Sequence, residues 1–200
     1  GPSEVLVIAD AKANPRYIAA DLLSQAEHDT LACSILLTPS QDIAEKVAVE
    51  VDKQLAKLSR NEIAKKSIES YGRIVVTETM EEAIDLANEI APEHLELAVE
   101  NPFDYLNKIR NAGAIFLGEY SPEPLGDYFA GPNHTLPTSG TAKFASPLSV
   151  DAFIKKSSVI YYTREALSSV KDKIIRIAES ETLTAHANSI RVRFESDEDE

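Results

Sequence analysis

Apolar residues fall along the chain in two rhythms that take turns. Val5 to Ala9 is an unbroken apolar run ending at Asp10, the pattern of a parallel strand buried on both faces. Asn14-Pro15 then opens a helix, with proline where its missing N–H does no harm, and Ile18, Leu22, Leu23 and Ala26 form its apolar face. Ser34 to Leu37 reads as a second strand, stopped by Thr38-Pro39. A long helical stretch follows from about Gln41 to Ser70, on Ile43, Val47, Val51, Leu55 and Leu58, with Asn61 as the cap of a restart. Arg73 to Val76 is a strand, and Thr79-x-x-Glu82 is a capping box for EEAIDLANEI, which Pro92 ends. His94 to Ala98 reads as a short strand, Asn101-Pro102 starts a short helix, and Ala114 to Leu117 is a further strand.

Strands alternating with helices predict an α/β fold with a parallel, doubly wound sheet. After Ser149 the rhythm changes. A short helix from Asp151, a strand SSVIYYT, a helix over about Arg164 to Glu179 and the segment LTAHANSIRVRF read as a C-terminal helical arm outside the main layer. The expected organisation is an α/β domain over 1–148, an arm over 149–194 and a disordered acidic tail over 195–200.

Leu125 to Thr138, LGDYFAGPNHTLPT, follows neither rhythm. Residues 118–147 hold four of the chain's seven glycines and five of its ten prolines. A loop of that length inside a compact domain is usually functional or disordered. Leu125, Tyr128, Phe129 and Leu136 look like anchors that a solvated linker would lack. The expectation is a rigid loop presenting Asp127 and His134.

Composition narrows the function. The formal net charge of -13 argues against nucleic-acid binding, which needs clustered Lys and Arg, although five acids in the last six residues carry part of it. The lone Cys33 forms no internal disulfide and, within LACSILLT, reads as a buried structural thiol. No run is long enough to span a bilayer and no signal segment is visible, which predicts a cytoplasmic protein. GPS without Met, running at once into a core strand, suggests a chain cut from something longer.

Each of the four histidines has a polar neighbour in sequence: Gln25 with His28, Glu93 with His94, Asp127 with His134, and Glu181 with His186. Gln25 and His28 lie three apart near a helix end and would share a face. Gln25, His28, Asp127 and one further histidine would make a zinc set of nitrogen and oxygen donors, without the spacing of any sequential zinc motif. Behind Pro92 the backbone leaves a helix, so Glu93 and His94 can aim at one pocket, where they could activate water and move protons. The alternative is a polar turn ahead of a strand. No GxGxxG, Walker loop or GxSxG elbow occurs.

GPSEVLVIAD, LLSQAEHD, APEHLEL, GAIFLG, PLGDYFAGPNHTLPTSGTAKF and ETLTAHANSIRV together resemble the histidinol dehydrogenase family, in order from Gly1 to about Phe194. The resemblance implies a Rossmann-like, aldehyde-dehydrogenase-like sheet, left incomplete in this chain. It implies two NAD-linked oxidations of L-histidinol through L-histidinal to L-histidine. Gln25, His28, Asp127 and His186 match the family's zinc ligands, one Zn2+ per subunit, and Glu93 and His94 match its acid/base pair. Ser3, Gln25, His28, His94, Asp127, Glu181 and His186 match positions that contact substrate, and His134 is given no metal bond. The family is a homodimer, so Glu181 and His186 would be contributed in trans. Its members are about twice this length, which makes this chain the expected carboxy-terminal part, with the NAD contacts in the portion it lacks. A non-catalytic zinc or small-molecule binding module derived from that enzyme is the other reading.

Overall fold

The computed structural model describes residues 2–195 and divides into two compact units, Gly1–Phe153 and Ile154–Glu200. In the first, strands β1 (Glu4–Ala9), β2 (Cys33–Thr38), β3 (Arg73–Val76), β4 (His94–Ala98) and β5 (Ala114–Leu117) form one parallel sheet in the order β3-β2-β1-β4-β5. Helices α1 (Pro15–Ala26), α2 (Gln41–Leu55), α3 (Asn61–Tyr71), α4 (Met80–Ile90), α5 (Phe103–Leu106) and α6 (Glu123–Tyr128) make the crossovers and flanks. The open, parallel α/β fold expected from the alternation is the fold observed.

The strand pleat divides the core in two. Val5, Val7 and Ala9 face α1 and α2 with Ile18, Leu22 and Val47, whereas Leu6 and Ile8 join Leu95, Leu97, Ile84 and Ala87 on the α4 side. Successive side chains of a strand point to opposite faces. His94 and Glu96 are therefore on the α1 side of β4, and the register Val5↔His94 sets them beside the start of β1.

Local signals explain the helix ends. The Asn14 side chain accepts the Arg16 amide, and Thr79 Oγ1 accepts the Glu82 amide at 3.1 Å. The Glu82 carboxylate takes the amide of Glu78 rather than completing the box at Thr79. Asn61 is not a cap: α3 starts after Arg60, with no side-chain cap bond. Helix α4 ends at Ala91 in the left-handed region (φ 54), because the residue before Pro92 avoids the helical well.

Three expectations fail here. Asp127 lies in the final turn of α6, not in irregular loop, because Pro122 and Pro124 set up a first helical turn. Tyr128 and Phe129 are not anchors within this unit; they are 82% and 87% exposed. Only Leu136, of the four apolar residues named, is substantially covered, beside a buried Pro137. The helix from Asp151 is a single 3-10 turn over Val150–Phe153.

In the second unit, α7 (Arg164–Ser180) and α8 (Thr184–Arg191) pack against each other. The strand expected over SSVIYYT does not form. Val159, Ile160 and Tyr161 are more than four-fifths exposed, and the described residues of this unit contain no strand. Apart from Glu195, the expected acidic tail lies outside the described residues.

Candidate functional site

The predicted acid/base pair sits at the amino-terminal edge of the sheet. Glu4, His94 and Ala114 open β1, β4 and β5, and a cavity of about 310 Å³ is lined there by His94, Phe116, Asp127, Asn133, His134 and Leu136. Ligands of open α/β sheets usually lie beyond the carboxyl ends of the strands. Here the polar residues gather at the other edge.

Glu4 holds the pair from both sides. Its amide donates to Glu93 Oε2 at 2.9 Å, and its own carboxylate accepts the amides of Glu93 at 3.3 Å and Ser139 at 2.9 Å. His94 Nδ1 lies 2.9 Å from the Glu4 carbonyl, an acceptor, so Nδ1 carries the hydrogen and Nε2 keeps its lone pair. Nε2 faces Glu123 Oε1 at 3.9 Å. Gly113 packs against this turn so closely that a Cβ would come within 2.5 Å of the Glu93 carbonyl, which explains a glycine at that position.

Burial dominates the electrostatics. It pushes the Glu93 carboxyl above its ordinary range, against the Glu4 amide that pulls it down. It pushes the His94 imidazole below 6.5, opposed by the Glu4 carbonyl and Asp127 and assisted by His28. His94 is therefore a neutral base at pH 7. Burial also raises Glu123 to about 8, helped by its hydrogen bond with Asp127, and Glu96 to about 9, helped by Asp21.

Those two raised acids make a pH prediction. Glu96 and Glu123 keep protons in the fold that the unfolded chain releases near 4.5, so the folded state binds more protons. Stability is greatest below that value and should fall as pH rises towards 9, by up to about 1.4 kcal/mol per pH unit for each group. Urea melts of metal-free protein at pH 5, 7 and 9 check this, and a flat or rising profile refutes it.

Gln25 is buried in the last turn of α1, and its Oε1 has no hydrogen-bond partner; neither has His94 Nε2. An unsatisfied buried polar atom costs about 1–3 kcal/mol, and His94 lines the cavity, so its free nitrogen points to a missing electrophile or donor there. Among the described residues, donor atoms of His94, Glu123 and Asp127 all lie within 4.8 Å of one another. This collection of nitrogen and oxygen donors suits a borderline cation such as zinc.

The other predicted residues are placed less uniformly. His28 lies beyond the end of α1, in a turn closed by its amide on the Gln25 carbonyl, and is exposed, with its ring near enough to influence His94. Ser3 is half-buried just ahead of β1, its carbonyl accepting the Cys33 amide. Cys33 is half-buried, with Sγ 3.5 Å from the Tyr71 carbonyl. Glu181 follows α7 and His186 lies on α8, both exposed and both in the second unit. Sequence reasoning missed Glu4, Asp21, Glu96 and Glu123. The signal for Glu96 was present: HLELA places an acid two residues from a histidine inside a parallel strand that should be apolar throughout.

The family model described as histidinol dehydrogenase matches residues 1–194. A histidinol dehydrogenase of Caldanaerobacter subterraneus subsp. tengcongensis is 64% identical over 190 residues, 95% of this chain and 44% of that protein. One from Clostridium acetobutylicum is 61% identical over 97% of this chain and 45% of its own length. The crystal structure of histidinol dehydrogenase from Elizabethkingia anophelis superposes with a TM-score of 0.90 at 46% identity, over 96% of this chain and 44% of that one. The chain spans less than half the length of the relatives it matches.

Proposed function

The chain belongs to the histidinol dehydrogenase family, and from that premise we propose that it forms the zinc- and substrate-binding part of an enzyme oxidising L-histidinol to L-histidine through L-histidinal, the closing reaction of histidine biosynthesis. The observation that carries the reading is the unpartnered, buried His94 Nε2 beside a cavity that Asp127 also lines, with a second unpartnered atom, Gln25 Oε1, buried in the last turn of α1. Gln25, His28, Asp127 and His186 would hold one Zn2+, which would orient the amino alcohol and draw charge from its oxygen. Ser3 and Glu181 would complete the substrate contacts. The enzyme would act as a cytoplasmic homodimer, with Glu181 and His186 given by the partner.

This chain's own residues account for the proton movements. His94 Nε2 would take the hydroxyl proton as the carbinol carbon gives up hydride, leaving the aldehyde. Its low pKa and the Glu4 carbonyl on Nδ1 keep that lone pair free. Glu93, raised by burial and held by one oxygen on the Glu4 amide, would take a proton from the water that adds to the aldehyde. Loss of a second hydride and proton from that hydrate gives the acid. Both hydrides are NAD chemistry. The chain carries no glycine-rich dinucleotide fingerprint, so no NAD contact is assigned to these residues.

Zinc analysis and NADH absorbance with L-histidinol test the reading. The complete polypeptide should bind zinc and form two NADH per histidinol, while recombinant residues 1–200 should form none. Turnover by residues 1–200 would overturn the fragment reading. A complete polypeptide that binds zinc without oxidising histidinol would favour the non-catalytic binding module instead.

A further inference from the structure

Three elements bring the site together: α1 with Gln25, β4 with His94 and α6 with Asp127. Each also carries an acid one structural repeat away. Asp21 precedes Gln25 by four, Glu96 follows His94 by two, and Glu123 precedes Asp127 by four. Four helical residues rise about 6 Å and two strand residues about 6.6 Å, so the repeats match in length. Both helices run back towards the amino edge of the sheet. The three acids therefore form a second layer, one repeat deeper than the first.

That layer is bonded across all three elements. Glu96 Oε1 accepts the Glu123 amide at 2.8 Å in a buried contact, and Asp21 shares a side-chain hydrogen bond with Glu96. Glu96 is 4% and Glu123 2% exposed. The bond to Glu123 matters because α6 has only six residues and no side-chain N-cap of its own. Pro124, the next residue, has no N–H to offer, so Glu96 serves α6 as a cap supplied by a neighbouring strand. An acid at this place in an apolar strand is costly to bury, and a leucine would better suit the apolar face that Val5, Val7 and Ala9 present on the α1 side. What leucine lacks is the means to hold α1 and α6 at fixed distances from β4.

We propose that Glu96 is a positioning residue, which ties Asp21 of α1 and the amide of Glu123 of α6 to β4 and so sets Gln25 and Asp127 around His94. It touches neither substrate nor metal. The proposal takes from the preceding reading only that Gln25 and Asp127 bind zinc.

Glutamine and leucine at position 96 separate positioning from filling space. Burial pushes Glu96 to about 9, so at pH 7 it holds a proton to donate to Asp21 while its other oxygen accepts from Glu123. Glutamine offers the same donor and acceptor; leucine offers neither. In the complete polypeptide, E96Q should protect the Glu123 amide from hydrogen exchange as the parent does and bind zinc within about threefold of it. E96L should exchange that amide at least about tenfold faster and lose about 10- to 100-fold in zinc affinity. Should E96L not fold, D21A releases α1 alone at a half-exposed side chain: zinc affinity should fall with the Glu123 amide still protected.

The proposal is overturned if E96L keeps both a protected Glu123 amide and the parent's zinc affinity, or if E96Q is as impaired as E96L. It is equally overturned if D21A binds zinc like the parent. A parent polypeptide that does not oxidise histidinol would sink the functional reading, while the order of Glu123 exchange rates would still decide this one.

Discussion

Replacing His94 by alanine should remove histidinol-dependent NADH formation from the complete enzyme by a factor of about 10²–10⁴ or more while leaving zinc bound. The argument rests on how the imidazole is held. His94 is buried at the head of β4, its Nδ1 lies 2.9 Å from the Glu4 carbonyl, and its Nε2 lone pair has no protein partner. Burial lowers its pKa, so this nitrogen is a free base at neutral pH. Alanine removes the base but leaves Gln25, His28 and Asp127 in place. Zinc content measured beside turnover decides the residue's role: loss of zinc with loss of rate would make His94 a metal ligand. Wild-type turnover would remove it from the mechanism altogether.

Asp127→Asn should weaken zinc binding by about 10- to 100-fold or more. The substitution keeps the side chain's size but removes its negative charge and one of its two oxygen acceptors. It also changes the contact with Glu123, whose raised pKa depends in part on a hydrogen bond with Asp127. Asparagine can still accept a hydrogen bond from protonated Glu123, so α6 should keep its place. The loss should appear in metal affinity more than in folding. Competition with a chromophoric chelator measures it, and an unchanged affinity would take Asp127 out of the coordination sphere.

Individual residues show where the site was legible. Glu93-His94 behind Pro92 was readable because a proline after a helix forces a break, and a polar pair at a break is exposed to a cavity. Ala91 in the left-handed region is that break. Gln25 was readable as a polar residue near a helix end, three positions from a histidine. His28 lies two residues beyond the end of α1, in a turn whose amide bonds to the Gln25 carbonyl, so its position depends on that turn as well as on helical spacing. Tyr128, Phe129 and the SSVIYYT segment were read as packed or paired, but apolar character in a sequence says only that burial would be favourable. It does not name the surface that provides it.

The alternating pattern of apolar runs, caps and prolines determined the strand and helix order of the sheet domain, since each element there reflects a local periodicity of 2 or 3.6 residues. The signature around Leu125 to Thr138 likewise identified the family without any coordinates. Only the tertiary structure decided what Glu4, Asp21, Glu96 and Glu123 do. Their contacts join residues 27 to 135 positions apart, such as Glu96 to the Glu123 amide and Glu4 to the amides of Glu93 and Ser139. No local rule couples positions so far apart. The pairing register Val5↔His94 couples them, because hydrogen bonding between strands puts the first residues of β1 and β4 side by side.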